Sequence, residues 1–140
     1  MTEPAIDDIL PLTPLQEGMF FEARFAGDGL DPYVPQSALT LTGPLDSARL
    51  RRAARAMLGR HAALRVSFRQ DDSGRPVQVV PSQVSLPWRQ VDLTALPPDE
   101  QEGELALLRG EERGRRFDLA HGPLLRFMLV RLAPHRTGWY

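Results

Sequence analysis

Between Asp46 and Arg69 the apolar period of this chain changes from that of a helix to that of a strand, and this change most limits the fold. Leu50, Ala53, Ala54, Met57 and Leu58 recur at helical spacing and form one stripe, with Asp46 placed to cap it. The pattern predicts a helix over Asp46–Arg60 whose end Gly59 loosens. Directly afterwards Leu64, Val66 and Phe68 alternate with Arg65, Ser67 and Arg69. That alternation predicts a half-buried strand over Ala63–Arg69, with the polar set, Arg65 included, turned to solvent. A helix feeding straight into a strand must bury its stripe against a sheet, so the expected class is α+β.

The rest of the chain is read around this pair. Thr13-Pro14 places a cap and a proline at the first helical position, and Leu15, Met19 and Phe20 follow at helical spacing. A short helix over Leu12–Phe25, ending near Gly27, is predicted. Gly27–Pro35 reads as a loop, and Gln36–Thr42 alternates around Leu39 and Leu41 as a strand. Asp71-Asp72-Ser73-Gly74 is a turn that would join Leu64–Arg69 to Pro76–Val80 in a hairpin. Pro87–Leu93 is a weaker strand. Asp99–Arg115 reads as a polar helix with Leu105 and Leu108 inward, although Gly103, Gly110 and Gly114 work against its regularity. Its acidic residues, interleaved with arginine, read as a solvated face. Leu124–Leu132 is apolar at nearly every position, as in a strand covered on both faces. Trp139-Tyr140 reads as the start of a further strand, one whose pairing partner is missing, and an uncovered apolar edge predicts self-association.

Composition excludes more than it suggests. The 140 residues include no cysteine, so a disulfide framework, a thiolate metal site and a cysteine nucleophile are ruled out. A formal net charge of −1 gives no general pull toward nucleic acid or an anionic membrane. All 17 basic residues are arginine. No apolar run approaches the roughly 20 residues that cross a bilayer. Met1–Asp8 has no basic stretch followed by an apolar run, so no secretory signal is expected and a cytoplasmic location is. His61, His121 and His135 have no metal-pair spacing, and no nucleotide-binding or nucleophile-elbow motif occurs. His61, between a helix end and a strand start, reads first as a helix C-terminal residue. His121 and His135 sit in a loop and a turn. Motif chemistry alone therefore yields no complete active site.

Three segments nevertheless resemble one known family. Leu12-Thr13-Pro14-Leu15-Gln16-Glu17-Gly18-Met19-Phe20 is similar to the P-L-T-P-L-Q-E-G-M opening of condensation domains from nonribosomal peptide synthetases. Arg60–Phe68 resembles the R-H-x-x-L-R-x-x-F motif at every defined position. Phe117–Arg126 resembles F-D-L-x-x-x-P-L-x-R, and Asp31–Gln36 resembles the family's run into its first strand.

The resemblance implies part of the N-terminal lobe of a chloramphenicol acetyltransferase-like fold, a mixed sheet flanked by helices, with residues 1–140 forming a partial condensation domain. It implies amide formation between aminoacyl or peptidyl thioesters carried on the phosphopantetheine arms of peptidyl carrier proteins, with no cofactor bound directly. The family's H-H-x-x-x-D-G motif would lie beyond Tyr140, so no catalytic histidine is assigned here, and the fragment alone is expected to be inactive. Arg65 stands where the family's arginine pairs with the aspartate of that motif and supports the active site. Without that partner Arg65 would be free to take solvent or another acid. Gln16 and His61 are candidates for the lobe interface or tunnel. Expected partners are carrier proteins and the remainder of the domain. Two other readings stay open: a non-catalytic docking module for a carrier protein or tailoring enzyme, and an epimerization domain or other acyltransferase of the superfamily.

Overall fold

The computed structural model describes residues 5–25, 27, 31 and 33–140. The expected loop after the first helix falls partly outside them, at 28–30 and 32. The order of elements is β1 (Ile6–Pro11), α1 (Pro14–Phe25), β2 (Leu39–Thr42), α2 (Ser47–Arg60), a 3-10 turn at Ala62–Leu64, β3 (Ser67–Gln70), β4 (Pro76–Pro81), β5 (Trp88–Asp92), α3 (Pro98–Gly114), β6 (Phe127–Ala133) and β7 (Arg136–Trp139). The class is α+β, as expected, with two sheets rather than one. The smaller is antiparallel, in the order β1-β4-β3. The larger runs β2-β7-β6-β5 and is mixed, because β5 alone pairs in parallel with its neighbour.

Local chemistry accounts for most element ends. Asp46 Oδ1 accepts from the Arg49 N–H at 2.9 Å and caps α2. Thr13 and Gln16 form a reciprocal box at the start of α1: Gln16 Oε1 accepts from the Thr13 N–H, and Thr13 Oγ1 from the Gln16 N–H. In the β3–β4 hairpin, Asp71 Oδ1 accepts from the N–H groups of Ser73 and Arg75, and Gly74 takes φ +81°. That left-handed conformation is why glycine stands there. The same hydrogen bonds, that of Ser73 Oγ first, hold the Asp71 carboxyl below its usual range.

The core lies between the larger sheet and α3. Met128, Val130 and Leu132 of β6 pack with Leu93 and with Leu105 and Leu108 of α3. Leu105 is only partly buried; each of the others contributes about 1.5–3 kcal/mol. On the other face of β6, Phe127 lies between Trp88 and Trp139, with ring centroids 6.1 and 5.7 Å away. Gln90, in register with Leu129 on that face, reaches Ser47 Oγ at the start of α2. α1 lies on the smaller sheet, where Phe20 meets Phe68.

Four expectations needed correction. First, the alternation from Ala63 does not begin a strand. Ala62–Leu64 coils as a 3-10 turn, β3 starts only at Ser67, and Arg65 and Ser67 are buried while Leu64, Val66 and Phe68 are half-buried. Second, β6 has no open edge. β7 turns back to pair with it and β2 pairs with β7, so the apolar run lies inside the sheet. The predicted cause of self-association is therefore absent. Third, α3 is not solvated along all its polar positions, since Gln101 and Glu112 are buried. Gln101 Nε2 donates to the carbonyls of Leu93, Leu96 and Leu132, which accounts for its burial. Fourth, the stripe of α2 is narrower than read: Ala54 and Leu58 are buried, but Ala53 and Met57 are exposed. The sequence reading places no strand at β1, whose residues are all exposed although Ile6, Ile9 and Leu10 are apolar.

Candidate functional site

The three motif segments lie far apart in sequence and meet in space. Phe68 N–H donates to the Leu119 carbonyl at 2.7 Å, and Arg69 Nε donates to the Ala120 carbonyl at 3.0 Å. Gly122 lies flat against the same stretch: a Cβ there would stand 2.7 Å from the Val66 oxygen and 2.9 Å from that of Arg65. Any side chain would collide with rigid backbone, so glycine is required for this approach. The first motif joins through Phe20 against Phe68, and through the side-chain amides of Gln16 and Gln78, 3.4–3.5 Å apart.

Where these segments converge they enclose a mainly apolar cavity of about 360 Å³. Gln16, Phe20, Phe68, Phe117, Leu124 and Met128 line it, with Arg126 and Glu112 at its polar wall. Among the described residues no histidine lines it. Of the three sequence candidates, Gln16 reaches the cavity, while Arg65 and His61 do not. His61 is exposed and closes α2 through its own N–H, which donates to the Met57 carbonyl. His121 is also exposed, with Nδ1 2.7 Å from Asp118 Oδ2. That contact, followed by the Ala120 N–H, holds the Asp118 carboxyl below its usual range.

Arg65 occupies a second, buried position outside the cavity lining. It is 7% exposed, so the solvent-facing reading is overturned. The reason is donor demand. Nη1 donates to the carbonyls of Leu58 and Gly59 at 2.8 and 3.0 Å, and Nε to that of Pro81 at 2.9 Å. Leu58 and Gly59 belong to the last turn of α2, whose carbonyls have no partner within the helix and carry partial negative charge. Nη2 then meets Asp7 Oδ2 at 3.1 Å. One guanidinium thus ties together α2, β4 and β1.

Sequence reading missed a third feature. The buried Glu112 carboxylate holds Arg89, Arg115 and Arg126 at 3.0, 3.1 and 2.9 Å. Arg126 also donates to the carbonyls of Glu112 and Arg115 and stacks 4.2 Å over the Phe117 ring. Burial pushes the Arg126 guanidinium below its usual value, against the attraction of Glu112. Hydrogen bonds to Glu112 and then Glu111 push Arg89 up. The signal available in the sequence was Arg126 itself, the last defined residue of the third motif.

Comparison with known proteins accounts for this convergence of segments. The condensation domain family model matches residues 6–140. The chain belongs to the condensation domain family. It is 39% identical over 137 residues to one of the linear gramicidin synthase proteins of Brevibacillus parabrevis, a match covering 96% of this chain and 2% of that protein. It is 33% identical over 129 residues to phosphinothricin tripeptide synthetase PhsC of Streptomyces viridochromogenes, covering 92% of this chain and 12% of that one. Among solved structures, the first condensation domain of the calcium-dependent antibiotic synthetase superposes with a TM-score of 0.81 at 26% identity, covering 95% of this chain and 32% of the other. Tallysomycin biosynthesis protein TlmII superposes at 0.72 and 29% identity, covering 94% and 32%. The condensation-domain chain therefore spans a small share of its curated relatives and about a third of these solved chains. Among the described residues, no helix is long and apolar enough to cross a membrane.

Proposed function

We propose that this chain supplies one wall of a condensation domain that joins two carrier-bound substrates by an amide bond. The reaction is attack of an aminoacyl amine on a donor thioester: the C–N bond forms, the C–S bond breaks, and the thiol leaves on the donor's phosphopantetheine arm. The observation that carries this reading is the meeting of the three motif segments around one cavity, with Arg65 of the second motif held in place by three main-chain carbonyls. Arg65 is the residue we assign to steady the catalytic loop, and Gln16 lines the substrate side. His61, exposed at the end of α2, is left with the capping role. Peptidyl carrier proteins are the partners. We treat the chain by itself as a half-site: among its described residues no histidine lines the cavity, and the Glu112 carboxylate at its wall is taken up by three arginines. Supplying it with loaded donor and acceptor carrier proteins and measuring amide product by mass spectrometry tests this: no product is expected, and turnover by the 140 residues would overturn the half-site reading.

One feature favours docking as a second reading. Phe21 and Phe25 on the outer side of α1 are 61% and 72% exposed, with ring centroids 4.4 Å apart. Titrating labelled chain with carrier protein separates the readings. Binding without product when the rest of a condensation domain is supplied would favour a docking module.

A further inference from the structure

A guanidinium has five N–H donors in a rigid plane. In Arg65 the Nε–H goes to Pro81, and the two on Nη1 go to Leu58 and Gly59. Both edges that could grip a carboxylate with two bonds include one of these nitrogens, so both are closed by main-chain oxygens. Nη2 is left, and one of its two N–H groups goes to Asp7.

How Asp7 gets there is equally specific. β1 pairs with β4 in register except between Ile6 and Asp8, which face the adjacent residues Pro81 and Val80. Asp7 is the extra residue of that bulge. A bulge breaks the strict alternation of a strand and re-aims one side chain. Here it delivers a carboxylate from an edge strand, exposed at every position, onto a buried arginine. The two partners are unequal: the Arg65 side chain is 9% exposed and that of Asp7 49%. Arg65 cannot leave without abandoning three carbonyls. Asp7 can swing into water at little cost, because half of its side chain is already there.

We propose that Asp7 is an exchangeable counter-ion that fills a one-point carboxylate seat on Arg65 and yields it to an incoming carboxylate. The incoming group binds Nη2 through one oxygen and replaces Asp7, since two carboxylates on one nitrogen would repel each other. This deepens the role proposed for Arg65 and rests on it only for the identity of the incoming group.

Acetate serves as the probe. The isotopically labelled chain is titrated with sodium acetate, with sodium chloride at matched ionic strength as the control. NMR follows the Arg65 side-chain N–H resonances and the Asp7 carboxyl carbon. In the wild type both move together with one midpoint, and in Asp7→Asn the Arg65 midpoint falls about tenfold, because the charged competitor is gone. Arg65 resonances that respond to acetate no more than to chloride would overturn the seat. A fixed Asp7 carbon while Arg65 binds acetate would overturn the exchange. The wild-type arm decides both points even if Asp7→Asn does not fold. Separately, Arg65→Ala in a complete condensation domain reports on the catalytic-loop role. Unchanged amide formation there would remove that role and leave the acetate result standing.

Discussion

Two ionic centres in this molecule are built in opposite ways. Around Arg65 a buried cation is held by three main-chain oxygens and one half-exposed acid. Around Glu112 a buried anion is held by three arginine side chains, of which Arg89 and Arg115 reach well into solvent. Backbone carbonyls cannot move away, so the first centre is fixed by the fold and itself fixes three elements. Long side chains can leave, so the second is adjustable and is screened by water. A buried charge is tolerated in both cases because it is paired and hydrogen-bonded.

Removing the central residue of each centre is the sharpest way to break this comparison. Arg65→Ala strands the carbonyls of Leu58, Gly59 and Pro81 and should cost about 3–5 kcal/mol, because each buried acceptor left without its donor costs about 1–3 kcal/mol and water can reach only some of them. Urea unfolding measures it, and a loss under about 1 kcal/mol would show that water replaces the guanidinium freely. Glu112→Ala should cost less, about 2–3 kcal/mol, because Arg89 and Arg115 can turn outward and Arg126 alone remains confined. An equal loss in the two variants would erase the distinction drawn here. Asp7→Asn comes next, at about 1 kcal/mol or less, since an ion pair with one half-exposed partner is discounted for solvent. The smallest effect is electrostatic. The Asp118 carboxyl is held below its ordinary value of 3.8 by His121 and by the Ala120 N–H. A depressed folded value means that its stabilisation is fully present above the unfolded value and disappears as pH falls through the folded one. A carbon-13 titration should place its midpoint below 3.8, and His121→Ala should raise that midpoint toward the ordinary value.

The same contrast explains what could be read from the residues. The Arg65 centre was half legible: its motif marked the residue, yet simple alternation placed it on the wet face. Alternation assumes that the apolar side of a strand is the buried one. Here a 3-10 turn at Ala62–Leu64 and a helix end in need of donors drew the polar side inward. The Glu112 centre was not legible, because a glutamate among arginines on a helix looks the same whether water or Arg126 faces it. Gln101 was missed for the same reason. The open edge expected at Leu124–Leu132 disappeared because Arg136–Trp139 is long enough to turn back as a strand, which Trp139-Tyr140 only hinted at.

Local chemistry settled much in advance: the caps at Asp46 and Thr13, the turn at Asp71–Gly74, the helix of α2 and the α+β class. Each depends on neighbours within a few residues, whose geometry the chain carries with it. The three motifs likewise placed the chain in its family. Tertiary structure alone decided that the motifs share one cavity, that Gly122 must lie against Arg65 and Val66, and that Asp7 answers Arg65 across 58 residues. Those contacts depend on distances between elements, and no local period encodes them.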